Sequence, residues 1–226
     1  MKTLSLIVLL SIFSTTIIAQ NSFGVRIAYN NTNVSKAPGS YRVSSLNRFQ
    51  AGVFAKRYVH HNWYVKANAL YDQKGNFYDD DYAIADAGKA VNIKLNYASF
   101  SIDAGYSFKM RSNQAIHIGA GPYLAFGING TEKGTGESLM GPVTIDRRID
   151  FISGEPKYGT NTEIKRVDAG LNFNAEYQFR NYGLFVNYGL GLTSREELRK
   201  SFNRVLSIGL SYSLGCKKKG KGCFGG

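Results

Sequence analysis

Three histidines, two cysteines, one acidic run and a scatter of lone charges are the groups in this chain that could do chemistry. His60 and His61 sit together in a tight polar stretch between Tyr58 and Trp63, and His117 stands alone in an alternating segment. A nucleophilic mechanism needs a Ser, Cys or Thr within reach of a base that a third group orients. No spacing here joins such a set, so no catalytic residue is assigned. Asp79, Asp80 and Asp81 offer the hard oxygens that suit calcium, but they lack the spaced ligands and the glycine of a defined loop and read as a solvated acidic loop. Cys216 and Cys223 flank Lys-Lys-Lys-Gly-Lys-Gly; two thiols without a nearby histidine make no metal site. In an oxidising compartment they could close a small disulfide loop. The glycines of that tail lack the strand-loop-helix context of a phosphate cradle, so neither a metal nor a cofactor is expected.

The lone charges form a clearer set. Arg26, Lys56 and Lys66 carry positive charge, and Asp72, Asp103, Asp168 and Glu176 negative. Each falls on the polar side of a segment that alternates apolar and polar residues with a period of two, the signature of a strand. Residues 63–74 show the pattern: Trp63, Val65, Ala67, Ala69 and Tyr71 oppose Tyr64, Lys66, Asn68, Leu70 and Asp72. Charges on a shared inner face survive only when paired, and this list is roughly balanced. It reads as a structural network.

Eight such segments position these charges: 22–31, 47–58, 63–74, 91–108, 115–126, 166–179, 182–193 and 203–214. The fourth exceeds a membrane crossing of about ten residues, and its Val91, Ile93, Leu95 and Tyr97 run in opposite phase to Phe100, Ile102 and Ala104. A bulge near residues 97–99, or a strand projecting beyond a membrane, would account for that. Pro122 lacks a ladder donor and suggests a bulge in the fifth segment. The connectors alternate, long at 32–46, 75–90, 128–165 and 194–202 and short at 59–62, 109–114 and 180–181. Aromatic residues crowd the short ones: Tyr58, Trp63, Tyr106, Phe108, Tyr177, Phe179 and Tyr182.

An all-β, eight-stranded antiparallel up-and-down transmembrane β-barrel meets every one of these features. Its apolar face turns to lipid and its lumen, just wide enough for its own side chains, holds the charges. The expected organisation is a cleaved signal peptide over residues 1–19, a barrel over 20–214 and a basic, cysteine-containing periplasmic tail over 215–226. Long connectors face outside. His60, His61 and His117 then lie toward the periplasm, away from any outer-leaflet lipid they might modify. Asn30, Asn33 and Asn129 head N-x-S/T triplets on the long-loop side. Net charge is +12, and Lys217, Lys218, Lys219 and Lys221 supply four of the positive charges. Without interleaved aromatics such lysines are no nucleic-acid platform; they suit outer-membrane lipid headgroups or another anionic envelope partner.

The segments "RVDAGLNFNAEYQF" and "YGLFVNYGLGLTS", with "GAGPYLAFG" at residues 119–127, resemble the outer-membrane β-barrel domain proteins common in Bacteroidetes, the PorT-like or small porin-family group. The resemblance covers residues 22–214 and implies an outer-membrane location in a Gram-negative bacterium and eight antiparallel strands. Some members serve protein secretion, so the resemblance also admits an envelope or secretion-system protein as partner. Barrels of this kind usually end on an aromatic residue; this one ends Tyr212-Ser213-Leu214 and continues into the tail. A non-enzymatic barrel acting through its outer loops in surface interaction or envelope integrity is the expected function. An accessory of a secretion system is the alternative, and a lipid-modifying enzyme stands third.

Overall fold

The structure, a computed structural model, describes residues 21–35, 42–79, 90–111, 113–138, 141–149, 151–152, 164–194 and 201–214. The expected signal peptide, Asp80, Asp81 and the tail with Cys216 and Cys223 lie outside these residues.

The described residues form twelve strands: β1 (Asn21–Val34), β2 (Arg42–Ser44), β3 (Leu46–His60), β4 (Trp63–Asp79), β5 (Ala90–Arg111), β6 (Gln114–Ser138), β7 (Gly141–Ile149), β8 (Phe151–Ile152), β9 (Ile164–Lys165), β10 (Val167–Phe179), β11 (Tyr182–Gly191) and β12 (Asn203–Leu214). Eight of them build the wall in the order β1-β3-β4-β5-β6-β10-β11-β12, every pairing antiparallel. Pairing of β12 back onto β1, from Phe23 opposite Leu214 to Val34 opposite Asn203, closes the ring. A closed ring has no unpaired edge, so each wall strand has a hydrogen-bonding neighbour on both sides, as a crossing of hydrocarbon requires. No helix among the described residues is long and apolar enough to cross a membrane.

The faces are inverted relative to a soluble barrel. Ile27, Ile102 and Leu210 are each about 60% exposed on the outside, while Arg26, Asp103 and Ser211 beside them are buried within. Only a lipid surround makes that arrangement favourable, because each outer aliphatic chain is worth roughly 1.5–3 kcal/mol when removed from water.

Two short turns close the end of the barrel expected to face the periplasm. His61 (φ 45°) and Arg180 (φ 53°) adopt the left-handed conformation that tight hairpins demand and that β-carbon-bearing residues tolerate at a cost. Rings pack around this end: Trp63 on Tyr106 at 5.3 Å, Tyr106 on Phe108 at 4.9 Å, and Tyr182 on Tyr212 at 5.1 Å. Such a girdle marks the lipid–water interface.

On the other side the wall rises well past the lengths read from alternation. β4 continues to Asp79, where β2 pairs with it, through what was expected to be loop. β6 continues to Ser138 and folds back as β7, so the expected connector 128–165 contains a β-hairpin. Beyond the hydrocarbon the outer face has no reason to be apolar, and the alternation that reveals a strand fades. β5 keeps one phase throughout, with Val91, Ile93, Leu95, Tyr97, Ser99, Ser101 and Asp103 all inward and buried. The strand projects, and its inner lining changes from polar to apolar. The bulge lies on its partner: the register slips between Asn96 opposite Asn129 and Tyr97 opposite Gly127, leaving Ile128 as the extra residue. Pro122 causes no slip, since Tyr123 still faces Ser101 and Ala120 faces Ala104; only the pairings at Ile102 and Asp103 lapse.

Candidate functional site: the filled lumen and its extracellular cap

Inward side chains stack in layers from the periplasmic turns upward. In the lowest, Lys56 Nζ donates to Gln178 Oε1 at 2.9 Å, and His117 Nε2 lies 2.8 Å from the same oxygen. A carbonyl oxygen only accepts, so Nε2 is the donor in that contact, and Lys56 Nζ lies 3.2 Å from the same nitrogen. Tyr64 stands edge-on to His117 at 5.6 Å. Gly105 and Gly119 make room for it, because a β-carbon on either would strike the Tyr64 hydroxyl.

The middle layer holds two ionic groupings. Lys66 Nζ donates to Glu176 Oε2 at 2.7 Å, and Ser211 donates to the other carboxylate oxygen. Arg26 donates to Asn68 Oδ1 at 2.9 Å, and Asn68 passes the polarity on by donating to Ser101 Oγ and Asp103 Oδ2, both at 2.9 Å. The Arg26 guanidinium stacks over Phe185 at 3.9 Å, and Lys66 lies over Phe54 at 4.6 Å.

The upper layer centres on a residue absent from the expected network. Lys74 donates to Asp168 at 2.8 Å and lies 3.6 Å from Asp72. Its ammonium sits over the rings of Tyr123 (4.5 Å) and Tyr97 (5.2 Å). Tyr123 (3.2 Å), Asn203 (3.0 Å) and Thr193 (3.3 Å) also donate to Asp168, while Asn30 and Ser99 donate to Asp72. Asn30 is fully buried here, which removes its triplet from consideration as a surface acceptor. Lys74 was legible in principle, because it continues the inward parity of Lys66, Asn68 and Asp72; a strand read as ending at that residue hid it.

With Lys74 included, the buried charges among the described residues are Arg26, Lys56, Lys66 and Lys74 against Asp72, Asp103, Asp168 and Glu176. Four cations face four anions, which is the electroneutrality a low-dielectric lumen demands. Between the middle and upper layers lies a cavity of about 30 Å³, bordered by Arg26, Gln50, Asp72, Lys74, Asp103 and Ser207. By volume it holds roughly one to three water molecules.

Above the charges the lining turns apolar. Val91, Ile93, Leu95, Tyr97, Tyr123, Ala125, Ile145, Ile149 and Ile164 form one buried cluster, with Phe151 packed against it. β7 contributes Ile145 and Ile149, so the extracellular hairpin caps the lumen with a small core of soluble-protein type.

Ser107 stands opposite His117 across β5 and β6, and both side chains are buried. His60 and His61 contact each other, ring nitrogens 2.7 Å apart, in the exposed turn. No group of three or more metal-ligating side chains occurs among the described residues.

The family model described as outer membrane protein beta-barrel domain matches residues 18–195. The chain belongs to this family. It is an outer-membrane transmembrane β-barrel protein of the Gram-negative envelope. No curated protein matches its sequence. Among solved structures it is similar to the attachment invasion locus protein Ail of Yersinia pestis, at 14% identity over 87% of this chain and 100% of that one, with a TM-score of 0.41. Neisserial surface protein A is similar at 16% identity over 87% and 100%, with a TM-score of 0.44. OprG of Pseudomonas aeruginosa is similar at 13% identity over 87% and 97%, with a TM-score of 0.44.

Proposed function

We propose that this outer-membrane barrel is a non-enzymatic, non-conducting protein that acts through its extracellular elements, in surface interaction or envelope integrity. The observation that carries this reading is the filled bore. A layered, charge-balanced network blocks the lumen, and an apolar cap closes it above. Among the described residues, what remains available to partners is the outside of the extended strands and the β6–β7 hairpin. Planar-bilayer recording of the purified full-length chain is expected to show no sustained single-channel steps. A stable open conductance in the nanosiemens range would overturn the filled-bore reading. For the interaction itself, cells with and without residues 139–150 should differ in surface binding or detergent sensitivity while holding equal amounts of folded barrel. Equal behaviour in both assays would remove the hairpin from the function.

A second reading places the protein in the PorT-like group as a secretion accessory, favoured by the basic run Lys217, Lys218, Lys219 and Lys221 beyond the last strand. In it, the signal peptide over residues 1–19 is removed and the tail over 215–226 engages an anionic envelope partner from the periplasm. Cross-linking with and without the tail tests it; an unchanged set of partners would sink the docking role.

A further inference from the structure

The outer wall of β5, β6 and β7 carries a polar patch just above the lipid-facing surface. Lys94 on β5 lies directly opposite Thr131 on β6, and Thr131 directly opposite Arg148 on β7. The row below pairs Asn96 with Asn129, whose side-chain amides hydrogen-bond to each other. The row above pairs Lys133 with Asp146, which form a 2.9 Å ion pair. Lys133 is thereby neutralised. No acidic side chain among the described residues bridges Lys94 or Arg148, and Asp146 is the only exposed acid on the outer face of these strands whose side chain is described. The backbones of Lys94 and Arg148 are two strand spacings apart, about 10 Å.

Height decides what meets this patch. The lipid-facing run on β6 ends at Ile128, half exposed at the bulge. Thr131 is three residues further on, roughly 7 Å along the axis for a strand tilted about 45°. The headgroup layer is itself about 5–7 Å deep. Two cations, a hydroxyl and a pair of amides therefore stand at headgroup level, facing sideways into the membrane and not outward into solvent. Cations there attract phosphate, and the Thr and Asn groups supply donors and acceptors of the kind that sugar hydroxyls match.

Resting on the outer-membrane location, we propose that Lys94, Thr131 and Arg148, with Asn96 and Asn129 beneath them, form a site on the barrel wall for the phosphorylated sugar headgroup of an outer-leaflet glycolipid. The site would hold a lipid against the strands that carry the apolar cap and so brace the extracellular hairpin.

Native mass spectrometry of the full-length barrel in neutral detergent tests this, with purified bisphosphorylated lipid A as probe and its dephosphorylated form as comparator. The wild type is expected to retain the phosphorylated probe at least tenfold better than the comparator. K94Q with R148Q should abolish that preference, while R57Q at the periplasmic rim should leave it within twofold. Heat-modifiable migration of each variant verifies folding. Equal retention of both probes, or an unchanged preference in K94Q/R148Q, would overturn the proposal. If glucosamine 1-phosphate without acyl chains competes fully at equal concentration, the site reads a free sugar phosphate and the membrane-lipid assignment falls. Absence of the protein from the outer-membrane fraction would instead refute the location, which the binding assay does not address.

Discussion

Replacing Lys74 with methionine keeps most of the side-chain volume and removes the one charge that two buried carboxylates share. Lys74 lies 2.8 Å from Asp168 and 3.6 Å from Asp72, with all three side chains less than a tenth exposed. Removing one partner of a buried ion pair costs about 3–5 kcal/mol, because the remaining charge keeps its desolvation penalty without its counter-ion. Here the hydrogen bonds from Asn30 and Ser99 to Asp72, and from Tyr123, Thr193 and Asn203 to Asp168, still solvate both carboxylates. The lower end, about 3 kcal/mol, is therefore expected, a factor of over one hundred in the folding equilibrium. Equilibrium urea unfolding in short-chain lipid vesicles measures it. Trp63 is the chain's only tryptophan and is half exposed at the lipid interface, so its fluorescence reports membrane exit. The surface pair supplies the internal control: Lys133→Met breaks a bridge of similar length, 2.9 Å, with both side chains over 60% exposed, and should cost no more than about 1 kcal/mol. The double variant Lys74→Met with Asp168→Leu should recover part of the loss, since it leaves Asp72 with its own donors. A loss below 1 kcal/mol for Lys74→Met, or one indistinguishable from Lys133→Met, would refute the claim that the lumen is an electrostatically closed core.

Other consequences are simpler to check. Arg180 holds a left-handed φ of 53° and gains only a stacking contact with Phe179 at 5.4 Å, so Arg180→Gly should raise stability by about 0.5–1 kcal/mol in the same urea assay. Gly170→Leu should yield no folded, heat-modifiable band, because its β-carbon would collide with the backbone oxygen of Leu190 and come within 2.9 Å of Gly191 Cα. Gly189→Ala, whose nearest neighbour is the Asn172 side chain at 3.3 Å, should fold normally in the same gel. Ile149→Asp places a charge in the extracellular cap, where Ile149 is buried. Proteinase K should then cut the β6–β7 hairpin of intact cells while the barrel band survives; resistance equal to wild type would show that the cap does not hold the hairpin.

Much of the barrel was readable because lipid enforces a rule on every wall strand. Where the chain crosses hydrocarbon, alternate residues must be apolar, so β10, β11 and β12 stand close to where alternation placed them and β12 coincides at both ends. Outside the hydrocarbon that rule lapses. β4 beyond Lys74 and β6 beyond Phe126 carry Gly75, Asn76, Thr131 and Lys133, residues equally at home in a loop, and only their pairing with β2, β5 and β7 makes them strand. Residues 91–97 of β5 posed the same difficulty in reverse. Their apolar parity looked like a phase error until the cap explained why that part of the inner face is dry.

The sequence by itself determined the period, the two faces, the alternation of long and short connectors and most of the buried charges, because each of these is a local consequence of burying one side of a strand in lipid. The tertiary structure alone decided who pairs with whom. Lys66 meets Glu176 and Lys74 meets Asp168 across about one hundred residues of chain, contacts fixed by the curvature of a closed wall and not by spacing along it. It also decided that the extracellular segment folds back as an apolar lid, since packing against β5 is what gives Ile145 and Ile149 an inside.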